Sequence, residues 1–253
     1  MIANYHTHTW RCKHALGVER EYVEQAIAAG MQILGFADHT PYPFPDGYVS
    51  RFRMAPQLAE DYFRTLSDLK QEYANQIDIR IGVEAEYYPA YFDELLRFLA
   101  DYPCEYLIMG QHYIYNERDG RYSGSRTADE GVLIQYVSQV LEGLSTGKFT
   151  YLAHPDLLHW TGAADVYRRE VTRLCRGVKV LNLPLEINLL GLYEGRHYPT
   201  EAFWQIAGEV GNAVILGCDA HEPEDLNRPE NVAAAEALAA RYGLPILDTL
   251  KLD

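Results

Sequence analysis

Two imidazoles stand two residues apart near the start of the chain, in His6-Thr7-His8. On an extended segment such residues point to the same side, so both rings can reach one ion. His14 follows in the same loop, and His39, His112, His154 and His221 each come at the end of a short apolar run. Glu84, Glu186 and Asp219 occupy comparable places. A single histidine is ordinarily a core residue satisfied by one hydrogen bond, and a single His-x-His is a weak metal signal. Seven imidazoles held neutral in one place are hard to satisfy without cations, and carboxylates supply the bridging and charge balance a multinuclear site needs. The set exceeds the three or four protein ligands of one catalytic ion, which implies two or three ions and metal-assisted chemistry.

For these side chains to meet, the runs preceding them must be strands that end on one rim. Apolar segments at 2–6, 33–37, 77–83, 106–110, 149–153, 183–187 and 213–217 are predicted as strands. They alternate with segments of helical periodicity, among them 18–29, one beginning near Pro56, 127–144 and 201–210. Each of the seven strands carries or ends in a residue able to bind a metal or a polar group. Barrel enzymes build their sites at the carboxyl ends of the strands, whereas an open doubly wound sheet gathers them at one or two crevices. The pattern therefore predicts an α/β fold closed, or nearly closed, into a (β/α)7 TIM-like barrel. No linker or low-complexity stretch divides residues 1–253, so a single domain is expected.

Composition narrows the partners. The 253 residues are 48% hydrophobic and 23% charged, the balance of a globular chain with a core. With 36 acidic against 22 basic residues the formal charge is −14, which argues against a broad phosphate-gripping surface and hence against nucleic acid. No apolar run reaches the roughly 18 residues that cross a bilayer, and Met1-Ile2-Ala3-Asn4 lacks the order of a signal peptide, so no membrane partner and a cytoplasmic location are expected. Cys12, Cys104, Cys175 and Cys218 form no CxxC pair and are read as reduced.

Taken in order, the motifs resemble the polymerase and histidinol phosphatase (PHP) superfamily, in its histidinol-phosphatase-like branch. The resemblance rests on His6-Thr7-His8-Thr9 with Cys12 and His14-Ala15, on Ala37-Asp38-His39, Gly82-Val83-Glu84 and Gly110-Gln111-His112, and on Ala153-His154-Pro155-Asp156-Leu157, Glu186-Ile187-Asn188 and Gly217-Cys218-Asp219-Ala220-His221. It implies a distorted (β/α)7 barrel with three divalent ions, Zn, Mn or Fe. His6, His8, Glu84 and Asp219 would hold one; Glu84, shared, with His112 and His154 a second; His14, His39 and His221 the third. It further implies a hydrolase of small phosphate monoesters, with L-histidinol phosphate of histidine biosynthesis as the expected substrate. A hydroxide between the Glu84-bridged ions would be the nucleophile, and Asp219 or His221 the proton relay to the leaving oxygen.

Members of that branch tend to place basic residues after the HPDL segment and after the Gly-Leu of the sixth strand. Here His159 and Tyr193 stand in those places. Arg196 is the expected compensating phosphate ligand, with His159 and His197 as further substrate contacts and Arg53, Arg118 and Arg126 as lesser candidates. Tyr42, Tyr87, Tyr88, Tyr113, Tyr115 and Tyr193 are available on rim loops to line a pocket. Two alternatives accompany this reading: another substrate for the same metal site, such as a phosphotyrosine protein or a nucleotide, or a non-catalytic metal-binding protein.

Overall fold

The computed structural model describes residues 1–252. Four parallel strands run side by side in the order β1 (Ala3–Asn4), β2 (Ile33–His39), β3 (Asp78–Ala85) and β4 (Tyr106–Met109). A short antiparallel hairpin follows, β5 (Tyr113–Ile114) with β6 (Arg121–Tyr122), and then a parallel pair, β7 (Leu185–Asn188) with β8 (Val214–Gly217).

Single bridges join these pieces into a ring. Leu152 pairs with Met109 on one side and Leu185 on the other, and Thr7 pairs with Ala220. The fifth predicted strand, 149–153, thus takes its place between β4 and β7 by bridges and not as a full ladder. At the β8–β1 seam a side chain replaces ladder groups: Asn4 Oδ1 accepts the Cys218 amide at 2.8 Å, while Asn4 Nδ2 donates to Thr7 Oγ1 at 2.8 Å. The seven-fold parallel circuit is the distorted barrel expected from the alternation.

Side-chain parity divides the strands into two layers. Ile79, Ile81, Val83 and Ala85 of β3, Leu34 and Phe36 of β2, and Val214, Leu216 and Cys218 belong to the large core between sheet and helices. Ala37, Tyr106, Ile108, Tyr151, Ala153 and Ile215, of the opposite parity, form a separate inner cluster with Ala3 and Tyr5, and Leu250 and Leu252 pack against it. His39, Glu84, Glu186 and Asp219 share the inner parity, so the barrel wall that buries tyrosine and alanine low down presents ligands at its upper end.

The outer layer holds α1 (Glu19–Ala28), α2 (Ala59–Glu72), α3 (Phe92–Leu99), α4 (Glu130–Ser145), α5 (Ala164–Val180), α6 (Leu189–Glu194), α7 (Glu201–Val210) and α8 (Pro229–Tyr242). Helix α4 begins three residues later than the periodicity suggests, because Asp129 caps it by accepting the Gly131 amide. Among the described residues no helix is long and apolar enough to cross a membrane.

Candidate metal centre

The register of β2 against β3 sets His39 beside Glu84, and the strand ends place the other ligand-type side chains around them. Glu84 is the hub. Its Oε1 lies 2.9 Å from His154 Nε2 and 3.6 Å from His112 Nε2; its Oε2 lies 2.8 Å from His39 Nδ1, 3.6 Å from His6 Nε2 and 3.7 Å from His8 Nε2. Asp219 Oδ1 faces the same two rings, 3.4 Å from His6 Nε2 and 3.0 Å from His8 Nε2. Toward solvent, His14 Nε2 and His221 Nε2 are 3.0 Å apart. All nine predicted ligand residues are therefore brought to one place.

Two glycines make room for the carboxylates. A Cβ on Gly110 would overlap Glu84 Oε1, and one on Gly217 would overlap Glu186 Oε2, so each glycine lets a neighbouring acid lie flat across the barrel mouth. At the ends of their strands His154 and Asp219 adopt φ of 28° and 51°, in the left-handed region that residues with side chains rarely occupy.

Outer contacts fix which nitrogen points inward in five of the seven imidazoles. His6 Nδ1 contacts Glu186 Oε2 at 2.8 Å, His112 Nδ1 contacts Glu86 Oε1 at 3.1 Å and His8 Nδ1 contacts Asp38 Oδ1 at 3.4 Å. His14 Nδ1 and His221 Nδ1 turn to the carbonyls of Cys12 and Asp219, at 2.8 and 2.9 Å. Asn188 clamps two of the acids, donating to Glu186 Oε1 at 2.7 Å and to Asp219 Oδ2 at 3.0 Å. Anchoring Nδ1 on a carboxylate or carbonyl is how proteins commonly orient metal-binding imidazoles.

The inward atoms fit divalent cations. His6 Nε2, His8 Nε2, His39 Nδ1 and Glu84 Oε2 are buried and crowd together at 2.8 to 3.7 Å without hydrogen-bond geometry between them, an expensive condition unless something else satisfies them. Two ligands about 2.1 Å from a tetrahedral ion stand roughly 3.4 Å apart, which is the spacing around His6, His8, Glu84 and Asp219. Three of the clusters whose ligand atoms lie within 4.8 Å of one another are His6-His8-Asp219, His6-Glu84-His154 and His14-His39-His221.

The electrostatics tell the same story. Burial alone would depress His6, yet Glu186, Asp219 and Glu84 push it up to about 10; His8 is likewise raised despite burial, by the adjacent carboxylates of Asp219 and Asp38. Burial would raise Glu84, but His112, His39 and His6 hold it well below the usual carboxylate range, and His6 and His8 do the same for Asp219. Burial, with the positive His8 nearby, depresses His39, His14 and His221. Without metal, protons on the inner rings answer the field of the acids.

Above the centre lies a cleft of about 1090 Å³. Arg196 lines it, its Nε 2.6 Å from Glu194 and its Nη1 donating to Tyr198 Oη at 2.7 Å. His159 and His197 stack on each other, centroids 4.1 Å apart, and are not among the lining residues; His197 Nε2 contacts the Leu157 carbonyl. Arg53 is buried in ion pairs with Glu86 and Glu117 and is not free to hold phosphate, and Arg118 pairs with Asp46. Arg51, Phe52, Tyr122, Glu222 and Asp225 also line the cleft and went unrecognised in the sequence. The β5–β6 hairpin that carries Tyr113 and Tyr122 was signalled by Asp119-Gly120 between two aromatic segments; Arg51 and Phe52 sit in a long proline-rich loop that offers no such signal.

Fold and site together define a class: a (β/α)7-barrel protein with an imidazole and carboxylate centre at the carboxyl ends of its strands. The PHP domain matches residues 4–189, and the chain belongs to the PHP family, in its histidinol-phosphatase-like branch. It is 28% identical over 243 residues to the probable histidinol-phosphatase of Deinococcus radiodurans, covering 89% of this chain and 88% of that one. It is 27% identical over 252 residues to the histidinol-phosphatase of Bacillus subtilis, covering 87% and 94%. The histidinol phosphate phosphatase of Lactococcus lactis, solved with zinc, L-histidinol and phosphate, superposes with a TM-score of 0.75 at 20% identity over 99% of this chain and 98% of that one, a likeness of fold.

Proposed function

We propose that this chain is a metal-dependent phosphoric monoester hydrolase that converts L-histidinol phosphate to L-histidinol and phosphate. The observation that carries the metal dependence is the buried imidazole and carboxylate atoms around Glu84 and Asp219, set at ion-ligand spacing without hydrogen-bond geometry between them. The substrate comes from the relatives, which are named histidinol-phosphatases and match nearly end to end.

We assign three ions, Zn, Mn or Fe, to the ligand groups His6-His8-Glu84-Asp219, Glu84-His112-His154 and His14-His39-His221. Glu84 Oε2 faces His6 and His8 of the first group and its Oε1 faces His154 and His112 of the second, which supports a shared Glu84. Bound cations would supply a nucleophilic water at neutral pH and neutralise the phosphate oxygens. The chain's residues do the rest. Glu84 spans the buried groups, and Arg196 presents a guanidinium to the phosphate from the cleft wall. We assign the proton transfer to the departing alkoxide oxygen to Asp219 or His221, and their position on the cleft wall supports this. We take the whole chain as one catalytic domain acting in the cytoplasm; the unbroken strand circuit and four free cysteines support this.

Purified protein loaded with Zn or Mn should release phosphate from L-histidinol phosphate faster than from phosphotyrosine or dinucleotides. Turnover of every monoester at background rate would overturn the phosphatase reading; a preference for phosphotyrosine would overturn the substrate.

A further inference from the structure

One buried guanidinium connects the metal centre to the cleft wall. Arg53 is 1% exposed and ends the proline-rich loop after β2. Its Nη1 and Nη2 donate to Glu86 Oε2 and Oε1, each at 3.0 Å, and its Nε donates to Glu117 Oε2 at 2.6 Å. Nη1 also reaches the Thr40 carbonyl at 3.2 Å, one residue past His39. Glu86 in turn contacts His112 Nδ1 at 3.1 Å, leaving His112 Nε2 directed at Glu84. On the other side the guanidinium lies 4.5 Å from the Phe52 ring, and Phe52 stacks on Tyr113 with centroids 5.7 Å apart, both rings lining the cleft. Glu117 sits in the β5–β6 turn and also accepts from Tyr48 Oη.

We propose that Arg53 is a positioning residue for the reaction, setting His112 through Glu86 and the Phe52–Tyr113 wall of the substrate cleft through Glu117. This rests on the assignment of His112 as a metal ligand. Arginine suits the task because one rigid planar fork can serve two carboxylates at fixed angles, whereas lysine offers a point charge on a flexible stem. The β2–β3 ladder ends at His39–Glu84 with the Thr40 amide donating to the Glu84 carbonyl at 2.8 Å, and beyond it no backbone hydrogen bond among the described residues ties the hairpin to Glu86 or to the loop around Arg53, so the placement of the hairpin against them depends on side chains. Two separable outputs follow. The Glu86 arm governs how firmly His112 binds metal, and the Glu117 arm governs how the wall meets substrate.

The test compares Arg53→Lys, Glu86→Gln, the double variant and Glu117→Gln in the full-length protein. Zinc affinity is read by competition with a chromophoric chelator, KM with histidinol phosphate, and folding by a cooperative thermal transition. Expected are a zinc affinity roughly 10- to 100-fold weaker in Glu86→Gln and weaker in the same direction in Arg53→Lys, the magnitude typical of losing an outer partner of a ligand. The double variant should be little worse than the weaker single, since both act on one chain of contacts. Glu117→Gln should raise KM while zinc affinity stays within about threefold of wild type, a split between outputs that an undirected structural role would not produce. A folded Arg53→Lys protein with wild-type zinc affinity and KM overturns the proposal, as does strict additivity of Arg53→Lys and Glu86→Gln. Zinc uptake is read without substrate, so a wild-type protein that binds zinc but leaves histidinol phosphate intact refutes only the substrate, and the affinity comparison still decides the role of Arg53.

Discussion

At the scale of single residues, the imidazoles are defined by what holds their outer nitrogens. His112 is the simplest to probe, because it is part-exposed at the cleft and its removal leaves no core cavity. His112→Ala should lower kcat/KM for histidinol phosphate by at least about 100-fold with an unchanged thermal transition in the metal-free protein; retained activity would remove it from the ligand set. The raised His6 makes a second prediction with a definite sign. Its folded-state value of about 10 lies above the unfolded value near 6.5, so the metal-free protein has this contribution in full below about pH 6.5 and loses it as pH rises toward 10. A cation competes with that proton, so metal affinity should strengthen over the same interval, with protons released on binding. Melting temperatures measured with and without chelator should accordingly diverge as pH rises from 6.5 to 10; a gap that narrows would contradict the assignment.

At the scale of elements, period-two alternation decides which side chains reach the centre. The glycines of Gly110-Gln111-His112 and Gly217-Cys218-Asp219 belong to the inner parity, where they leave space for Glu84 and Glu186. Gly110→Ala should therefore push Glu84 aside, destabilise the fold by about 1–3 kcal/mol and abolish tight metal binding, measured by denaturation and by metal analysis after gel filtration. An alanine protein that keeps full metal content would show that Glu84 has room to spare. Most strands and helices were legible in the sequence from apolar runs and periodicity, and the helix Glu201–Val210 has its predicted limits. The segment 149–153 was legible as a strand but not as one held by lone bridges, because hydrogen bonding to both neighbours depends on barrel curvature and not on propensity. Tyr113 and Tyr193 of the cleft wall were legible as rim-loop tyrosines, whereas Phe52 and Tyr122 were not, and the hairpin had only the Asp119-Gly120 turn as its signal because two-residue strands have too little pattern to stand above their loops.

At the scale of the whole molecule, closure of the barrel and its acidity act together. The lower end is packed by the C-terminal segment, where the Leu250 amide donates to Tyr5 Oη at 3.1 Å and Leu250 and Leu252 cover the inner cluster. Leu250→Asp should expose that cluster and lower the melting temperature by several degrees, for a cost of about 1–2 kcal/mol, with metal content little changed since the centre lies at the opposite end. The formal charge of −14 is offset where it matters by the cations we assign, which would bring the whole to about −8 and make the cleft the attractive place for a phosphate on an otherwise acidic surface. By itself the sequence determined the parallel alternation and the inventory of candidate ligands, because strand period and the end of each apolar run are local properties that type and spacing record directly. Only the tertiary structure decided the partners: that Glu186, Asp38 and Glu86 stand behind the imidazoles, that Arg53 is buried between two acids, and that His159 and His197 turn to each other. Those contacts join segments far apart in the chain across a closed ring, and which side chains meet there is set by register, curvature and packing that no local pattern encodes.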